Sequence, residues 1–202
     1  MPLDPRPSDA LLIVDAQVDF CPGGALPVPD GDAVIPALND AIAHARASGW
    51  PVYASRDWHP PDSRHFAAFG GRWPVHCVAE SPGANFPARL RLPAGAVIVS
   101  KGQSRADDGY SAFEGTTDTG QPLLDDLRRR GIARLHVGGL ATDYCVRASV
   151  LDACKAGLEV IVLEDAVAGL EPGTTRQALE DMRTAGARVT STKALGRDGI
   201  ES

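Results

Sequence analysis

Residues 133–163 read ARLHVGGLATDYCVRASVLDACKAGLEVIVL. The stretch opens on one apolar run, Ala133–Val137, and closes on another, Val160–Leu163. Between them, a segment from about Thr142 to Lys155 has apolar residues at helical spacing, and Gly157 stands where a helix would end. Two strand-length runs joined by a helix predict a right-handed crossover between parallel strands of one sheet. The same alternation extends outward. Downstream, Leu179 and Met182 mark a last helix and Ala187–Thr190 a final strand. Upstream, Leu123, Leu124 and Leu127 mark a helix entered through Pro122 and closed by Gly131. Ala96–Val99 and Pro51–Ser55 read as strands, and Val34, Leu38, Ile42 and Ala45 line a helix ended by Gly49. Ala10–Val14 is apolar without a break, as a strand covered on both faces requires. The expected fold class is α/β, a three-layer α/β/α domain around a mainly parallel sheet of about six strands.

The 202 residues suit one domain spanning 1–202 better than two small ones. A net charge of −6 without a basic run argues against nucleic acid as a partner. Met1 to Asp9 lacks the apolar stretch of a secretory signal, and no later segment is long enough to span a bilayer. Cysteines at 21, 77, 145 and 154 form no CxxC pair, which reads as reduced thiols in a cytoplasmic protein.

One interval, 57–94, breaks the rhythm. It holds no convincing element, is rich in proline, and contains three of the five histidines. A loop this long inside a compact domain is usually functional. Ligands of open parallel sheets bind beyond the carboxyl ends of the strands, and there the strands deliver Asp15, Asp57 and Lys101, with Cys145 following RLHVGGLATDY.

Among the thiols, Cys154 shares an i, i+4 stripe with Val146 and Val150 and reads as core filler. Cys145 lies off that stripe, in the first helical turn, where the helix dipole and free N–H groups favour a thiolate. A buried, inert thiol is the competing reading. Cys21 and Cys77 read as packing residues. Asp15 is either a turn residue satisfied by nearby N–H groups or a base, and Lys101 either snorkels to water or faces the thiol. Together with Cys145 they supply a proton acceptor and a cation for an activated nucleophile. In DWHPPDSRHF and WPVHC, Asp57, His59, His65 and His76 suit a divalent transition metal, although histidine loops also occur without one. Asp62 reads as a solvated turn residue. Phe20–Val28, FCPGGALPV, lacks the Lys-Ser/Thr of a phosphate loop and reads as a tight turn beside the site. Phe20 and Trp73 either pack or contact a flat ligand.

The order LLIVDAQVDFCPGGAL, SRDWHP, WPVHCV, VSKG and GGLATDYCV resembles nicotinamidases of the isochorismatase-like cysteine hydrolase superfamily, over residues from about 10 to about 168. The resemblance implies that fold and the hydrolysis of nicotinamide, and also of pyrazinamide, through a thioester on Cys145. It implies a catalytic triad of Asp15, Lys101 and Cys145, with an oxyanion hole from the N–H groups of Ala141 and Cys145. Phe20, Trp73 and Ala141 would contact the substrate, and one divalent metal ion (Zn, Fe or Mn) would sit on Asp57, His59 and His76, with His65 a further ligand. It also implies a cis bond between Leu140 and Ala141. The expected partner is the small-molecule substrate, nicotinamide, with no nucleic acid or membrane, in a monomer or homo-oligomer. The rivals are an amidase for carbamoyl or ureido compounds, a non-catalytic ligand-binding homologue, an isochorismatase, and a thiol redox sensor.

Overall fold

The computed structural model describes residues 8–195. A seven-stranded sheet runs through its centre, in the order β4-β3-β2-β1-β5-β6-β7. The strands are β1 (Asp9–Val14), β2 (Val52–Asp57), β3 (Val97–Lys101), β4 (Thr116–Thr117), β5 (Arg134–Leu140), β6 (Glu159–Ala168) and β7 (Arg188–Thr190). All pair in parallel except β4, which is antiparallel to β3. β4 is the strand the sequence does not announce. Two threonines carry no hydrophobic period, and only the register of β3 makes them a strand.

β1 explains the architecture. Leu11 and Ile13 point into one apolar cluster, and Ala10, Leu12 and Val14 into another. The first cluster is covered by α1 (Ile35–Ala47) through Leu38, Ala41, Ile42 and Ala45. The second is covered by α2 (Leu123–Arg129), α3 (Arg147–Lys155) and α4 (Pro172–Thr184) through Leu127, Val150, Ala153, Ala178 and Met182. Burial on both faces explains the unbroken apolar run. Each fully buried aliphatic side chain contributes about 1.5–3 kcal/mol.

The chain builds outward from β1 in one direction through β2 and β3, then returns to build through β5, β6 and β7. The crevice between the carboxyl ends of β1 and β5 is therefore a topological switch point. Gly139 lets β5 approach β1 there. Gly139 has φ +125°, and a Cβ on it would lie 2.0 Å from the Val14 carbonyl oxygen. Among the described residues no helix is long and apolar enough to cross a membrane.

The 57–94 interval carries only two 3₁₀ turns and isolated bridges at His59–Val78 and Phe66–Trp73. The helix expected from about Thr142 starts differently. Thr142–Val146 is a π-helical turn, and α3 begins only at Arg147. The Ala141 carbonyl accepts from both Tyr144 N (3.0 Å) and Val146 N (3.1 Å). Such widened turns concentrate at functional sites.

Candidate active site

Three strand ends and one helical turn converge. Asp15 follows β1, Asp57 ends β2, Lys101 ends β3, and Cys145 lies in the π turn after β5. All four are buried. Lys101 Nζ is 2.7 Å from Asp15 Oδ2 and 3.6 Å from Cys145 Sγ. It also donates to Asp57 Oδ1 and to the Gly109 carbonyl. Asp15 has φ +44°, which turns its carboxylate back towards β2, where Ser55 Oγ donates to Oδ1 at 2.7 Å.

Burial decides the electrostatics. It pushes the Cys145 thiol well above its ordinary value, and Lys101 only partly offsets this. Burial also raises Asp15, against the pull of Lys101. Burial opposes the Lys101 charge as well, but Asp15 and Asp57 outweigh it and hold the ammonium firmly protonated. At Asp57 burial works upward, yet Lys101 and His59 keep the carboxyl well below its usual range. Burial thus favours the neutral thiol at rest. This runs against the thiolate expected from its place near a helix start, because the loss of water around Sγ outweighs one cation and a short turn. Transfer of its proton to Asp15 leaves the cluster's total charge unchanged, so burial opposes that step far less than simple ionisation.

The second oxygen of Asp57 faces the histidines. Oδ2 is 3.7 Å from His59 Nε2 and 3.8 Å from His76 Nε2. One ring nitrogen from each of His59, His65 and His76 falls in a group whose members lie within 4.8 Å of one another. The other nitrogen, Nδ1, is occupied in every case. It meets the Gly102 carbonyl at 3.1 Å for His59, the Pro74 carbonyl at 2.8 Å for His76, and Asp108 Oδ1 at 3.0 Å for His65. A carbonyl partner requires Nδ1–H, so in a neutral ring the lone pair available to a metal is the one on Nε2. His59 Nε2 is buried with no hydrogen-bond partner. Burial also pushes His76 down to about 4, so its ring is neutral near pH 7. Imidazoles oriented through Nδ1 beside a carboxylate form a donor set suited to a divalent cation. Gly102 belongs to this site, because a Cβ there would come within 2.4 Å of His59 Cε1.

Cys145 from the first group and Asp57, His65 and His76 from the second line one cleft. Its lining includes Phe20, Trp73, Ala141, Cys145, His65 and His76, all anticipated from sequence. The Leu140–Ala141 bond is cis. Cys77 is buried, Cys154 half-buried at the edge of the α3 cluster, and Asp62 exposed beside Arg105. Met1 to Pro7 and residues 196–202 lie outside the described residues.

Several residues of the site escape sequence reading. Tyr110 and Tyr144 line the cleft, and Tyr110 Oη accepts a 2.9 Å bond from Trp73 Nε1. Asp143 accepts from Leu170 N at 3.0 Å and from Thr174 Oγ1, tying the π turn to the loop before α4 and to its first turn. Asp19 accepts from Cys77 N at 2.7 Å and Ala25 N at 3.2 Å, holding the FCPGGALPV turn against the histidine loop. Their only sequence signal is a polar or aromatic residue beside a motif, which does not reveal its partner.

The isochorismatase domain matches residues 9–194 of this chain. The nicotinamidase/pyrazinamidase of Mycobacterium tuberculosis is 43% identical over 183 residues, 89% of this chain and 97% of that protein. The crystal structure of pyrazinamidase of Pyrococcus horikoshii in complex with zinc is 46% identical with a TM-score of 0.86, covering 92% of this chain and 99% of the other. The structure of PnC1 from L. infantum in complex with nicotinate is 35% identical with a TM-score of 0.82, over 92% and 93% of the two chains.

Proposed function

The chain belongs to the isochorismatase family, and from that premise we propose that it hydrolyses nicotinamide to nicotinate and ammonia, and accepts pyrazinamide as well. The observation that carries this reading is one cleft lined by Cys145, behind which Asp15 and Lys101 are buried, and by Asp57, His65 and His76 of the histidine group. A cleft walled by Phe20, Trp73, Tyr110 and Tyr144 suits a flat heteroaromatic carboxamide.

Asp15 takes the Cys145 proton as Sγ attacks the carboxamide carbon, while Lys101 holds the paired charges in place. The N–H groups of Ala141 and Cys145 receive the developing oxyanion. Protonated Asp15 then gives its proton to the departing nitrogen, and ammonia leaves a thioester on Cys145. In the second half, Asp15 removes a proton from water, the hydroxide adds to the thioester, and the thiolate departs to regain that proton. Phe20 and Trp73 flank the ring. Asp57, His59 and His76, with His65 as a further ligand, would hold a divalent transition metal (zinc, iron or manganese), a Lewis acid able to anchor the ring nitrogen or a water beside it.

In this reading residues 1–202 form a single cytoplasmic cysteine hydrolase domain, with 57–94 as its metal-binding loop. It works as a monomer or homo-oligomer on a small molecule, without nucleic acid or membrane. Ammonia release from nicotinamide, pyrazinamide and a ureido compound, measured for the wild type and Cys145→Ala, tests the proposal. Nicotinamide should be the better substrate over the ureido compound, and the variant should fold but lose turnover by at least about 10⁴-fold. Near wild-type release by Cys145→Ala would remove the covalent route.

A further inference from the structure

Gln17 is fully buried and uses its whole side-chain amide on main-chain groups. Oε1 accepts from Asp57 N at 2.8 Å, while Nε2 donates to the Asp57 carbonyl at 2.9 Å and to the Ala84 carbonyl at 2.9 Å. The surrounding topology shows why an amide is needed. The register of β1 with β2 ends at Ile13–Ala54, followed by one last bond from Asp15 N to the Ser55 carbonyl at 3.2 Å, and the chain then turns, with Gln17 N donating to the Asp15 carbonyl at 2.7 Å. Asp57 remains paired with β3 through its Lys101 register partner, but its N–H and carbonyl on the β1 side have no strand to meet. An unpaired buried peptide group costs about 1–3 kcal/mol. The primary amide has the donor and acceptor of a peptide, and it occupies the place β1 has vacated.

We infer that Gln17 is a positioning residue for the metal and catalytic groups, acting through the Asp57 peptide. The Asp57 carboxylate divides its two oxygens between Lys101 on one side and His59 and His76 on the other. A small rotation of that peptide therefore misplaces both at once. The bond to Ala84 adds a second restraint, since it ties the loop that follows His76 to the same amide. Gln17 touches no substrate-facing surface of the cleft and is not itself catalytic.

The inference rests on the metal reading of Asp57, His59 and His76, so wild-type zinc binding is measured first. Absence of stoichiometric zinc binding by wild type would sink that reading itself. Zinc affinity by chelator competition and the absorption spectrum of the cobalt(II) form are then compared for wild type, Gln17→Met and Gln17→Asn. Met keeps the length without the polar atoms, and Asn keeps the amide one methylene short. Tyr53→Phe is the control, because it removes a buried hydrogen bond to Asp126 far from the site. Both Gln17 variants should bind zinc about 10–100-fold more weakly, with a shifted cobalt spectrum and reduced kcat, and the control should match wild type. Zinc affinity within about threefold of wild type in either folded variant would overturn the inference. If both variants fold only with metal, the zinc midpoint of refolding reads the same affinity, and midpoints equal to wild type count against it. Variants still unfolded at saturating zinc would assign Gln17 a general folding role instead.

Discussion

Replacing Lys101 with methionine removes the one cation that touches Asp15, Asp57 and Cys145 while keeping the side chain's length. Its ammonium lies 2.7 Å from Asp15 Oδ2, with both groups buried. At an effective dielectric near 20 that attraction is about 6 kcal/mol, so an ionised Asp15 left with only Ser55 and the thiol would be very costly. Protonating it is cheaper. Holding a carboxyl with an ordinary value near 3.9 protonated at pH 7 costs about 4 kcal/mol, and about 1.5 kcal/mol at pH 5. From Asp15 alone the variant should therefore lose about 4 kcal/mol of unfolding free energy at pH 7, within the 5–15 kcal/mol of a typical domain. Asp57, which loses the same cation, adds to that loss. The sign follows from proton counts. The native variant keeps a proton on Asp15 that the unfolded chain has released, so its stability falls with rising pH, by about 1.4 kcal/mol per unit above pH 4. Urea unfolding of wild type and Lys101→Met at pH 5, 6 and 7 measures this directly. A difference between the two that stays flat across that range would refute the buried-pair account, as would a loss under about 1 kcal/mol at pH 7.

Tyr110→Phe frees the Trp73 indole N–H from its 2.9 Å partner; KM for nicotinamide should rise about 3–10-fold with kcat nearly unchanged, and an unaltered KM would count against a ring-positioning role. Removal of metal by a strong chelator should abolish activity, and re-addition of zinc, iron or manganese to the same sample should restore it, whereas full activity in metal-free protein would take the metal out of the mechanism. Tyr53→Phe loses a 2.8 Å bond to the Asp126 carboxylate and should lower stability by about 1–2 kcal/mol while kcat/KM stays the same; a drop in turnover would show that this end of the sheet communicates with the cleft.

The sequence alone determined the layered sheet and most of the chemistry. A strand covered on both faces must be apolar throughout, so β1, β5 and β6 announce themselves locally, and helix stripes with closing glycines supply the crossovers. Because parallel strands share one carboxyl edge, Asp15, Asp57, Lys101 and Cys145 were bound for the same place wherever the loops ran. The histidine-rich interval stood out for lacking any period at all. Tertiary structure alone decided the rest. β4 exists because β3 offers it a register, and the π turn at Thr142–Val146 is tied through Asp143 to Leu170 and Thr174, far along the chain. Protonation was likewise not local. Burial pushes the thiol up and favours its neutral form, an effect that no residue's neighbours in sequence can report. Gln17, Asp143 and Tyr110 belong to this second class. Each acts on atoms contributed by distant segments, and a side chain's hydrogen-bond partner is fixed only when the fold brings the two together.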